Sequence, residues 1–84
     1  MVGLEGENLP ISEKIRVIRH VNIFKSDRWW AACVLIESFG RRQVALYLWH
    51  NRGGSWKRRQ KFVFRSRQEW ESVKEIVDEL VREL

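Results

Sequence analysis

Cysteine occurs once in this 84-residue chain, at Cys33. No intrachain disulfide can form, and a reducing, cytoplasmic setting is expected. No apolar run approaches the ~20 residues needed to span a bilayer, and the start of the chain lacks the pattern of a secretory signal, so a soluble protein without a membrane partner is expected. His20, His50 and Cys33 are too scattered for a metal-ligand spacing, which predicts no metal and no cofactor. Paired carboxylates, a glycine-rich phosphate loop and a nucleophile elbow are missing, which argues against an enzyme. Without repeats or low-complexity tracts, residues 1–84 read as a single domain.

The most informative absence is acid. From Ser38 to Gln68 there is no Asp or Glu, and residues 28–67 carry ten Lys or Arg against Glu37 alone. Residues 68–84 invert the balance, with six acids against Lys74 and Arg82. The net charge of +5 and pI of about 10.0 favour a polyanionic partner. Hydrophobic residues make up 44% of the chain, ten aromatics among them, which is enough for a core and argues against a disordered chain.

Residues 1–12, with Gly3, Gly6, Asn8 and Pro10, show turn formers and no periodicity, so an irregular leader is predicted. An antiparallel sheet is predicted over 15–65. β-Branched residues from Ile15 to Phe24 read as a first strand, and the apolar run from Trp29 to Phe39 as a second, with Gly40 and Arg41 closing a turn. Gln43 to Asn51 alternates, with Val44, Leu46 and Leu48 on one face and Ala45, Tyr47 and Trp49 on the other. A three-residue loop at Arg52, Gly53 and Gly54 leads into a fourth strand from Ser55 to Arg65. That loop sets Trp49 opposite Lys57, Tyr47 opposite Arg59 and Ala45 opposite Lys61, with Leu46 and Val44 meeting Gln60 and Phe62. Slipping by one residue would set the three cations on the aliphatic face, where unpaired charge is costly.

Ser66 and Glu69 have the capping-box spacing, which starts a helix over 67–84. Trp70, Val73, Val77, Leu80 and Leu84 are spaced 3, 4, 3 and 4, with Ile76 and Val81 widening the stripe. The stripe either packs on the sheet or forms a self-associating oligomer seam, and both can hold. The fold class is therefore α+β, a four-stranded antiparallel sheet followed by a C-terminal amphipathic helix that covers its aliphatic face.

The other face combines rings with cations, which is what single-stranded nucleic acid needs. Phosphates follow the cations, and each base stacked on a ring contributes roughly 1–3 kcal/mol. Tyr47, Trp49, Lys57, Arg59 and Lys61 form the expected site. Trp30 extends it, and Arg41, Arg42, Arg52 and Arg58 stand at the rim as phosphate contacts. The bland reading packs Tyr47 and Trp49 against a second layer and treats the cations as a solvated face. A homo-oligomer with the aromatic face buried between subunits is the alternative from another class. No helix has a basic polar face, so reading of duplex by a major-groove helix is not expected.

The order of four antiparallel strands and an amphipathic helix, with basic aromatic strands, resembles the archaeal ThermoDBP-type single-stranded DNA-binding proteins, over about Trp29 to Leu84. The passage from Lys61-Phe62-Val63-Phe64 through Ser66 to Gln68-Glu69-Trp70 is similar to transcriptional coactivators of the positive-cofactor-four type. The resemblance implies single-stranded DNA binding by a dimer or higher oligomer, with Tyr47, Trp49 and the Lys57 to Lys61 strand matching the first family's aromatic and basic character.

Overall fold

A computed structural model describes residues 8–84. The first seven residues of the predicted leader lie outside the described residues. β1 (Arg16–Lys25), β2 (Trp29–Ser38), β3 (Arg41–Arg52) and β4 (Ser55–Phe64) form one antiparallel sheet in the order β1-β2-β3-β4, followed by α1 (Arg67–Val81). Residues 8–15 are neither strand nor helix and are held by local bonds, Ile11 N to Leu9 O at 2.8 Å and Ile15 N to Ser12 O at 3.0 Å.

Both later hairpins turn on two residues. Ser38 pairs Arg41 around Phe39 and Gly40, whose φ angles are 52° and 74°. Arg52 pairs Ser55 around Gly53 and Gly54, at 62° and 87°. Positive φ at both central positions twists the turn in the sense the flanking strands require. Arg52 is thus a strand residue, and the expected three-residue loop is corrected to two. Asn51 secures this end: its Oδ1 accepts from Gly54 N at 3.0 Å and its Nδ2 donates to Asp27 O at 3.1 Å.

The shorter turn alone would have set Arg59 opposite Leu48. A β-bulge between Leu48 and Trp49 restores the pattern by leaving Arg59 as the extra residue. Beyond it Tyr47 pairs Lys61, Ala45 pairs Val63, Leu46 pairs Phe62 and Val44 pairs Phe64. The expected partners are therefore displaced by two residues, which leaves every one of these side chains on its expected face. Nearer the turn the displacement is one residue: Trp49 pairs Arg58, and Lys57 pairs His50 on the opposite face.

The core lies on the aromatic face. Trp30, Ala32, Val34, Ile36, Ala45, Tyr47 and Trp49 are buried, with Leu9, Ile11, Ile15, Trp56 and Val63 packed against them. The helix was expected to cover the aliphatic face and make it the core; instead, among the described residues, α1 touches only β4, where Trp70 meets the buried Phe64, and none of its own residues is buried. Large rings remove more apolar area from water than Val or Leu, which explains why the leader collapses onto them. Only Arg65 and Ser66 link β4 to α1, so the helix is held at the sheet's edge. It is capped as expected, with Ser66 Oγ accepting from Glu69 N at 3.0 Å and Glu69 Oε1 accepting from Arg65 N at 3.2 Å.

Candidate nucleic-acid interface

Burial decides first which rings can meet a ligand. Trp30, Tyr47 and Trp49 are 2%, 3% and 0% exposed. Tyr47 and Trp49 stack at 5.1 Å and 8°, and Trp30 leans on Trp49 at 5.0 Å and on Trp56 at 5.5 Å. Trp30 Nε1 donates to Asn22 Oδ1 at 2.8 Å, which satisfies one buried donor. Tyr47 OH and Trp49 Nε1 are buried and have no hydrogen-bond partner among the described residues. These three rings are core, which corrects the expectation of an open stacking platform and, equally, the alternative that buries it between subunits. Their cover is supplied within the chain.

Cations border this core. Lys25 Nζ sits 3.8 Å from the centroid of the Trp30 ring, and Lys61 Nζ 5.3 Å from that of Tyr47, both within cation–π range. At the bulge two consecutive arginines, Arg58 and Arg59, stand against the single residue Trp49. Arg58, expected at the rim, thereby stands directly opposite Trp49. Lys57 leaves the site for the face of His50.

The seven cations of the β3–β4 hairpin are Arg41, Arg42, Arg52, Lys57, Arg58, Arg59 and Lys61, and neither strand contains an acid. All but the half-buried Lys61 are exposed. Among the described residues none of the seven is ion-paired, whereas Arg16 is bound to Glu37 at 2.8 Å and Lys74 to Asp78 at 3.4 Å. β4 is an edge strand, so Lys57, Arg58, Arg59 and Lys61 line an outer margin of the sheet rather than its centre.

The accessible rings lie outside the expected stacking site. Trp29 and His50 are directly opposed, with centroids 4.3 Å apart, and Lys57 is the next partner along that row. Counting outward from a two-residue turn at Phe39 and Gly40 would have found this pair. Phe62 is 55% exposed on the aliphatic face, and Trp70 is 42% exposed while its ring meets Phe64 edge-on at 5.2 Å. An open groove of about 390 Å³ runs beside that contact, between Leu35, Val44 and Phe64 on one side and Arg67 and Trp70 on the other.

Cys33 lies half-buried on the aliphatic face, and burial pushes its thiol pKa up, so it stays protonated at neutral pH. Among the described residues no group of three His, Cys, Asp or Glu side chains is placed to hold a metal, and no helix is long and apolar enough to cross a membrane. Comparison with known proteins returns no matching family model, no matching curated protein and no matching solved structure.

Proposed function

We propose that the protein binds single-stranded nucleic acid, DNA or RNA, along the margin of the sheet formed by the β3–β4 hairpin. One observation carries this reading: seven cations stand on two adjacent strands that contain no carboxylate, and six of them are exposed. Cations drawn from neighbouring rows suit a flexible phosphate backbone, and the binding energy comes chiefly from counterion release. Arg58, Arg59 and Lys61 lie along the β4 edge, while Arg52 and Lys57 lead round to the Trp29–His50 pair, where a base has a ring to stack on.

With few rings accessible, phosphate contacts outweigh stacking and sequence preference is low. A single strand is favoured over duplex because no basic helix is available for the major groove. The ThermoDBP-type resemblance agrees with this reading in ligand class, with the ring positions redrawn. The role is binding without catalysis, in a reducing cytoplasm that suits the lone Cys33.

Titration of labelled single-stranded and duplex oligonucleotides at several salt concentrations tests the proposal. Tighter binding of the single strand, weakening steeply with salt, supports it. No binding at low salt, or a preference for duplex, rejects it.

A further inference from the structure

Among the described residues, two apolar surfaces are left without a partner. The first is the aliphatic face of the sheet, where Leu35, Val44, Leu46, Leu48 and Phe62 surround Cys33 and none is buried. The second is the stripe of α1, along which Val77 is 47% and Leu80 62% exposed. They touch each other only at the corner where Trp70 meets Phe64. A helix of 15 residues is marginal in water unless its apolar face is packed, so a helix with none of its own residues buried is incomplete as it stands.

We propose that α1 of a second copy of this chain covers the aliphatic sheet face, and that the exchange is reciprocal in a two-fold dimer. A two-fold axis needs one surface to fit another on the same chain, and both are present. Lengths agree: α1 is about 22 Å long, and β3 from Arg42 to His50 runs about 27 Å.

Chemistry selects the occupant. The stripe of Val73, Val77 and Leu80 is aliphatic like the face it would cover, and burying it leaves Glu71, Glu75, Asp78 and Glu79, on the opposite side of α1, in solvent, so no carboxylate is desolvated. Arg19, opposite Leu35 on the edge strand, and Arg42, opposite Glu37 near the end of β3, stand at the border of the face, where long side chains keep their charge in water. Nucleic acid suits the centre of that face poorly, since Cys33, Leu35, Val44 and Leu46 offer neither a ring nor a charge. The dimer leaves Arg58, Arg59 and Lys61 of both β4 edges outside the covered face, so two margins would engage one strand with a raised effective concentration. The pairing itself does not depend on nucleic-acid binding.

Sedimentation of the full chain at micromolar concentration tests this, alongside the rate at which iodoacetamide labels Cys33. The expected mass is twice 10.2 kDa. Leu80→Asp and, separately, Phe62→Asp should each give the monomer mass with cooperative unfolding retained, because both positions are exposed in the single chain. Cys33 should label faster in both variants than in the wild type. Leu80→Asp keeps the sheet face unaltered, so its result stands even if Phe62→Asp fails to fold. A monomeric wild type overturns the proposal. So does a dimer lost in Leu80→Asp with Cys33 labelling unchanged, which would mean that helices pair only with helices. A monomer in which an oligonucleotide shields Cys33 would assign the face to nucleic acid instead.

Discussion

The two faces of the sheet are built from the same strands, alternating residue by residue, and they meet opposite fates. The aromatic face is roofed by the chain's own leader through Leu9, Ile11 and Ile15, while the aliphatic face stays open although an amphipathic helix is tethered beside it. Ring size accounts for the first outcome and chain connection for the second. Trp30, Tyr47 and Trp49 release the most apolar surface when covered, and the two-residue link after Phe64 holds α1 at the edge. Exposed aromatics in a sequence pattern are thus no guide to exposed aromatics in a fold, because a ring is at once the best stacking surface and the best core material.

The sharpest way to break this comparison is to truncate a ring on each face. Trp49→Ala should cost about 3–5 kcal/mol of stability, as fully buried aromatics do. Phe62→Ala in the Leu80→Asp background, where no second copy covers the face, should cost a clearly smaller amount, below about 1.5 kcal/mol, because in the single chain that ring keeps half its surface in water. Urea unfolding of the two variants measures both, and equal losses would mean that the assignment of inside and outside is wrong.

A smaller effect probes how the roofed face handles its polar atoms. Asn22→Ala removes the acceptor at 2.8 Å from Trp30 Nε1 and should cost about 1–3 kcal/mol, the penalty for stranding a buried donor. A neutral result in the same unfolding assay would mean that water replaces the amide. On the open side, Ser66→Ala deletes the cap of α1 and should cost about 1 kcal/mol. The helical circular-dichroism signal should fall while the sheet persists, because α1 has no buried residue of its own and meets the core only where Trp70 touches Phe64.

Much of this architecture was legible in the residues. The four strands, the helix and its Ser66–Glu69 box follow from periodicity and capping, which are local and need no knowledge of packing. The register was less legible: Gly53 and Gly54 admit either a two- or a three-residue loop, and the Arg59 bulge leaves no mark in the pattern because it keeps Lys61 and Phe62 on the faces that alternation assigns them. Which face is core was not legible, since both faces alternate equally well and the decision rests with Leu9, Ile11 and Ile15, in a segment without periodicity. The cations survived that error better than the rings did. Arg41, Arg42, Arg52 and Arg59 are exposed because charge is costly to bury on either face, whereas Trp30, Tyr47 and Trp49 are stable in either place. Lys57 and Arg58 exchanged sides solely through the turn.

The smallest expected effect separates the margin of the sheet from its open face. Arg58→Ala or Arg59→Ala should each lower the salt dependence of single-strand binding by about one phosphate contact, and Arg19→Ala, on the aliphatic face, should leave it unchanged. The most direct measurement of the central claim is therefore the slope of log affinity against log salt for a labelled single-stranded oligonucleotide. It should be compared between the wild type and the double variant Arg58→Ala, Arg59→Ala. The account predicts a steep slope in the wild type that becomes shallower by about two contacts in the variant, with stability unchanged. A slope that is the same in both proteins would contradict it and remove the β4 margin from the binding surface.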